Sequence, residues 1–370
     1  MKSKVVLIPC SSYEEETLYR CLKQGLELLG GLESLIKKNE KVLFKPNLVR
    51  SAKRERAVVT DPAVMENVFR IFREQGYEHL ACGDSCGIGS AGKAMKECHM
   101  DAALEKYGVE LKEFQDEQRV ETQRGRTLTL AKDVLEADAL VSVCKMKTHA
   151  LERVTGAVKN QYGCICGMHK AMGHTQYPNA DIFARMLADL NLTVKPRLYI
   201  MDGITAMEGN GPTSGDPIPM NVLLFSEDPV ALDTVFCHLV YLDPELVPTN
   251  VHGEKMGLGT WKSSQIDVVR EPLLRNRLAR DMETGNSMWT GKGSREKPLW
   301  TPSASLAFSG KNHTSSKTSA ANAASASAPV RWREKPSGSK TGEQIRRYMI
   351  IRSVSAASAA RKCVRTGRSR

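Results

Sequence analysis

The chain has 370 residues, 41% hydrophobic and 26% charged, with a formal net charge of +11. This balance excludes a wholly disordered, collagen-like or membrane-spanning chain and suits about two domains, or one large one with an appendage. The basic excess is not spread over the chain: residues 273–370 hold 20 Lys and Arg against 5 Asp and Glu, which leaves residues 1–272 at −4. Nucleic acid is therefore not the expected partner, and only the tail would argue for it.

Nine of the ten cysteines precede residue 273, at irregular spacing. The start carries no signal-peptide pattern, and no apolar run approaches the roughly 18 residues of a membrane span. A reducing cytoplasm, free thiols and no membrane are the expectations.

In chain order, Val5 to Pro9 reads as a short strand, and Glu14 to Leu29 carries Leu18, Cys21, Leu22, Leu26 and Leu29 at helical spacing. Lys41 to Phe44 is a second strand. Asp61-Pro62 caps a helix whose buried face is Val64, Val68, Ile71 and Phe72. His79 to Cys82 runs into Gly83-Asp84-Ser85. Ala139 to Cys144 reads as a strand ending in Lys145-Met-Lys-Thr-His149, and Leu198 to Met201 as one ending in Asp202-Gly203. Val222 to Phe225 is a strand, after which Asp228-Pro229 opens a helix over Val230 to Tyr241. This alternation predicts an α/β fold with a largely parallel or mixed sheet and flanking helices. Ligands in such folds sit beyond the carboxyl ends of the strands, where the polar residues concentrate here. Ala150 to Pro178 lacks apolar periodicity and reads as a long functional loop with a short helix. Residues 273–370, rich in Ser, Ala, Arg and Lys, read as a low-complexity disordered tail.

The densest polar run is Lys145, Lys147, Thr148, His149, Thr155, Lys159, Asn160, His169, Lys170 and His174. Ammonium and imidazole groups after a strand end suit a phosphate or carboxylate, with Asn and Thr orienting it. The imidazoles equally suit proton transfer near neutral pH or a metal. A solvated basic loop is the plain alternative. Cys164-Ile-Cys166 with His169 lacks the second ligand pair of a structural zinc site and reads as ordinary thiols. Asp84, Asp202, Glu208, Asp228 and Asp233 are carboxylates near element ends that suit a divalent cation such as magnesium, although helix capping explains Asp228 better. Glu208 precedes Gly209-Asn-Gly211-Pro212, where backbone can approach a ligand closely.

Taken together, Lys45-Pro46-Asn47, Thr60-Asp61-Pro62, Gly83-Asp84-Ser85, Lys145-x-Lys147-Thr148-His149, Thr155-Gly156-x-x-Lys159-Asn160, His169-Lys170, His174, Asp202-Gly203-Ile204, Gly209-x-Gly211-Pro212 and Asp228-x-x-Ala231-x-Asp233 resemble the domain-of-unknown-function 362 family over about residues 4–270. Many of its members carry a C-terminal ferredoxin-like segment for four-iron four-sulfur clusters. The resemblance therefore implies iron–sulfur redox chemistry and a redox partner protein, and a shared site around Lys145, Lys147, His149, Lys159 and Asn160. This chain departs from that pattern after residue 272, where only Cys363 remains. Read one frame over, the codons across Ser353, Ala356, Ala359 and Cys363 are able to encode cysteines at ferredoxin spacing, so a shifted reading frame is one account of the tail.

The sequence thus gives a first expectation of a cytoplasmic α/β protein associated with iron–sulfur redox chemistry, whose own tail lacks the cluster ligands. Its small anionic ligand would be held by Lys45, Asn47, Asp84, Lys145, Lys147, Thr148, Asn160, His169, Lys170, Gly209 and Gly211. His149, Lys159 and His174 would carry any proton chemistry, with Asp202 and Glu208 as metal candidates. The alternatives are a divalent-metal-dependent enzyme of phosphate- or carboxylate-bearing substrates, and nucleic-acid binding through the tail.

Overall fold

The computed structural model describes residues 2–270 apart from Ile88, and the backbone of two strands further on; the side chains of Met168, Ala171 and His174 lie outside it. The strands are β1 (Ser3–Pro9), β2 (Val42–Pro46), β3 (Leu80–Gly83), β4 (Glu110–Lys112), β5 (Glu117–Glu121), β6 (Thr127–Ala131), β7 (Ala139–His149), β8 (Arg153–Thr155), β9 (Leu198–Glu208), β10 (Asp216–Ser226) and β11 (Ile266–Arg270). The helices are α1 (Glu15–Leu29), α2 (Leu32–Leu35), α3 (Pro62–Glu74), α4 (Ala91–Cys98), α5 (Asp101–Lys106), α6 (Lys132–Glu136), α7 (Ala157–Asn160), α8 (Gly167–Gln176), α9 (Ala180–Val194), α10 (Pro229–Leu239) and α11 (Pro248–Lys255). Of the tail, only β12 (Val330–Glu334) and β13 (Arg347–Ile351) are described, and they pair antiparallel. The positions of the reading-frame question, including Cys363, lie outside the described residues.

The sheet runs β11-β1-β10-β9-β7-β2-β3-β4, with the short β8 folded back on β7. All its strands point the same way except β10, antiparallel to both neighbours, and β8. Both faces are covered. Along β1, Val6 and Ile8 join the core built with α1 and α3, while Val5 and Leu7 join the core built with α10, as strand alternation requires. The chain winds from β2 outward to β4, then returns to place β7 on the other side of β2. The sheet's order therefore reverses between β2 and β7, and such a reversal opens a crevice at the carboxyl ends of the two strands.

The helix starts follow their sequence signals. The Glu14 carboxylate caps α1 by accepting from the Glu16 and Thr17 amides, and Asp61 caps α3 ahead of Pro62. The largest departure concerns β7. The lysine run expected to follow the strand is itself strand, and every residue from Ala139 to His149 is buried. The central strand of a sheet covered on both faces has no solvent-facing side, so polar residues near its end are enclosed with the rest. The expected loop from Ala150 to Pro178 is also more ordered than its composition suggests, containing β8, α7, a tight turn over Gln161–Cys164 and α8.

Candidate functional site

The carboxyl ends of β2 and β7, with helices α7 and α8, bring five lysines toward one region. Lys45 and Lys145 are each matched by a carboxylate. Lys45 Nζ stands 3.0 Å from Asp84 Oδ1 and Lys145 Nζ 2.6 Å from Asp202 Oδ2, with all four side chains nearly inaccessible. The second pair is set by sheet register, because Lys145 of β7 lies directly beside Asp202 of β9.

Asp202 is heavily engaged. Its Oδ1 accepts from Tyr13 Oη (2.9 Å) and the Ile204 amide (3.3 Å), and its Oδ2 from Lys145 and the Asp61 amide (3.0 Å). Lys145 also donates to Tyr13 Oη at 3.2 Å. Burial and the nearby Asp202 and Asp61 charges push the Tyr13 phenol well above its ordinary range. Burial and Asp202 also raise the Asp61 carboxyl, against Lys145 and Arg54.

Asn160, at the end of α7, joins the two central strands. Its Nδ2 donates to the Lys45 carbonyl (3.2 Å) and to Ser142 Oγ on β7 (2.9 Å), while its Oδ1 accepts from Asn47 Nδ2 (3.1 Å). Asn47 in turn receives Lys147 Nζ at 2.8 Å, and Lys147 also donates to the Val58 carbonyl at 2.5 Å. Lys147 is fully buried and has no carboxylate partner among the described residues. Burial, then repulsion from Lys159 and Lys145, hold it well below the ordinary ammonium range.

Lys159 and Lys170 are only half-buried. Lys159 Nζ lies over the rings of Tyr162 and Phe183, at 5.3 and 5.5 Å, and burial with Lys170 and Lys45 nearby lowers it to about 8 despite the opposing Glu152 charge. Lys170 reaches in from α8 to the Ser85 carbonyl and is likewise lowered by burial. Neither has an ion-pair carboxylate among the described residues.

The glycines of the site are there for space. A Cβ at Gly163 would collide with Asp84 Oδ1 and stand 2.5 Å from Lys45 Nζ, and one at Gly156 would collide with Asp233. Asp233 accepts from the Ala157 and Val158 amides (2.6 and 3.1 Å), fixing the start of α7, and burial raises it to about 7.

Several expected site residues sit elsewhere or do other work. His149 uses Nδ1 to accept from the Leu151 and Glu152 amides, both at 3.1 Å, and so shapes the β7–β8 turn. His169 points outward, 44% exposed, 3.4 Å from Glu117. His174 falls on α8, but its side chain is outside the description. Thr148 Oγ1 receives the Gly211 amide (3.2 Å), and a Cβ at Gly211 would collide with the Thr148 backbone; Gly209 takes φ +74 beside it. Glu208 ends β9, beyond Asp202. Tyr13, Arg54, Asp61, Ser142 and Glu152 were missed as site residues. Only Asp61 carried a local signal, and it indicated a helix cap.

The described residues bring no three His, Cys, Asp or Glu side chains together in an arrangement that would hold a metal ion. The same holds of the cysteines alone: Cys82, Cys86, Cys144, Cys164 and Cys166 are buried free thiols raised by desolvation, and no three of the described cysteines converge on one point.

Residues 42–238, which contain this whole arrangement apart from Tyr13, match the family model for the domain of unknown function DUF362. The chain belongs to the DUF362 family. A second finding agrees. This DUF362 chain is 34% identical over 260 residues to the thylakoid-associated protein sll1697 of Synechocystis sp. (strain ATCC 27184 / PCC 6803 / Kazusa), covering 70% of this chain and 81% of that one. Among solved structures, the lactate racemase apoprotein from Thermoanaerobacterium thermosaccharolyticum matches with a TM-score of 0.45 at 12% identity, over 64% of this chain and 56% of that one. A Thermotoga maritima protein matches with a TM-score of 0.36 at 14% identity, over 57% and 55%. The DUF362 chain thus spans just over half the length of either. No helix among the described residues is long and apolar enough to cross a membrane.

Proposed function

We propose that this DUF362 chain binds a small anion, a carboxylate or a phosphate, at the half-buried Lys159 and Lys170. The observation that carries this reading is the imbalance of charge. Five lysines gather at the sheet's switch point, and among the described residues only Asp84 and Asp202 pair with any of them. Burial and mutual repulsion strain the protonated forms of Lys147, Lys159 and Lys170, and an anion beside them relieves that strain. Lys45, Lys145 and Lys147 are too enclosed to touch a ligand, which leaves Lys159 and Lys170 as the lysines able to reach one.

Calorimetric titration with inorganic phosphate and butyrate tests the reading. Lys159→Met and Lys170→Met should each weaken binding at least tenfold with an unchanged circular dichroism spectrum. Undiminished binding in both variants, or none in the parent protein, would refute it. The iron–sulfur chemistry implied by the resemblance forms no part of the proposal, because the segment that would carry the cluster lies outside the described residues.

A further inference from the structure

Residues 48–59 leave the sheet after β2 and return to α3 as a closed loop over the site. Its neck is a reciprocal pair: the Asn47 amide donates to Thr60 Oγ1 (2.9 Å) and the Thr60 amide to the Asn47 carbonyl (3.1 Å), while Thr60 Oγ1 donates to the Val143 carbonyl of β7 (2.7 Å). The inner side of the loop belongs to the protein interior. Leu48, Ala57, Val58 and Val59 are buried, the Leu48 amide donates to Asp84 Oδ2 (2.8 Å), and Val58 caps Lys147. Compact loops with closed necks of this kind frequently carry function.

The outer side has the opposite character. Arg50, Lys53, Arg54 and Arg56 are exposed, with Glu55 the single acid among them. Arg54 is committed to Asp61 (2.7 Å) and lies over the Tyr13 ring, but Arg50, Lys53 and Arg56 have no ion-pair carboxylate among the described residues. The backbone of the loop that carries this row is tied to the segment that Lys170 contacts. Lys170 donates to the Ser85 carbonyl, and two residues on the Gly87 amide donates to the Val49 carbonyl (2.9 Å), the residue before Arg50.

Resting on the reading that Lys159 and Lys170 hold an anion, we infer that the ligand carries two anionic groups. One is held by Lys159 and Lys170, and the second by Arg50, Lys53 and Arg56 on the rim of the loop. The class is a small dicarboxylate or a phosphono- or phospho-carboxylate. A one-anion ligand would leave the outer row without a partner.

The test titrates the full chain with one-anion probes, butyrate and inorganic phosphate, and two-anion probes, succinate, glutarate, adipate and phosphonoacetate. At least one two-anion probe should bind about tenfold more tightly than the one-anion probe it extends, the combined worth of a few solvent-screened ion pairs. The triple variant Arg50→Gln/Lys53→Gln/Arg56→Gln, all at exposed positions, should erase that preference while lowering one-anion affinity by no more than about twofold. Equal affinity for both probe classes overturns the inference and leaves the inner site standing. Equal weakening of both classes in the triple variant also overturns it, because the row then acts only as a general field. Absence of binding by every probe overturns the inner site and the inference together.

Discussion

Glu152 offers the sharpest test of the electrostatic reading. Its side chain is fully buried in the turn between β7 and β8, and neither carboxylate oxygen has a hydrogen-bond partner among the described residues. Burial raises it from 4.5 to about 8, against the attraction of Lys159 and Arg153. The folded state therefore holds a proton there that the unfolded chain releases above its ordinary value, so stability should fall as pH rises from about 4.5 and level off above about 8. Glu152→Gln removes the titration while keeping the shape. By linkage, the variant should gain on the parent by about 1 kcal/mol at pH 5, about 3 at pH 7 and about 5 at pH 9, as upper bounds. Urea unfolding of both proteins at the three pH values measures the difference. A stability difference that stays constant from pH 5 to pH 9 would show that Glu152 ionises normally, and the account of a desolvated site would fail with it.

Three further outcomes follow from the same geometry. Gly163→Ala should drive a methyl group into the Lys45–Asp84 pair and destabilise the fold by about 3 kcal/mol in urea unfolding; an effect under about 1 kcal/mol would mean that the pair moves aside freely. Lys145→Met strands the buried Asp202 carboxylate, with an expected cost of about 3–5 kcal/mol at pH 7. Adding Asp202→Asn should recover most of that cost, and no recovery would place it in lost packing. Anion affinity should decline as pH rises from 7 to 9, because Lys159 loses its proton near 8, and Lys159→Met should bind weakly with a shallower decline, set by Lys170.

Much of the fold was legible because strand and helix signals are local. The apolar runs at β1 and β2, the caps at Asp61 and Asp228 and the helical face of Val64, Val68, Ile71 and Phe72 each depend on a few neighbouring residues. The end of β7 was not legible. Lys145, Lys147 and His149 look like a surface loop until the sheet order puts helices on both faces of the strand. The candidate site divided the same way. Its lysines were found because charged residues after an apolar strand stand out. Tyr13 was invisible because only the folded sheet brings residues 13, 145 and 202 together. His149 and His169 drew attention as imidazoles, but a histidine accepting backbone amides or facing water gives the same letter in the sequence.

The two kinds of lysine at the switch point divide the labour. Removing an ammonium ion from water costs several kcal/mol unless a counter-charge meets it, and Lys45 and Lys145 are met by Asp84 and Asp202. Those pairs tie β2 to the segment after β3 and β7 to β9, so they are explained by architecture alone. Lys147, Lys159 and Lys170 are explained by no such pairing. A fold selected only for stability would replace them with apolar side chains of similar volume, since an unpaired buried cation favours the unfolded state. Lys147 lowers its own cost by donating to Asn47 and Val58 from a site where the neutral amine is favoured. Lys159 and Lys170 keep their ammonium groups at the half-open edge instead, where a counter-ion from solution can reach them. Their position agrees with the proposed anion site, and the buried ion pairs behind them hold together the strand ends against which α7 and α8 sit.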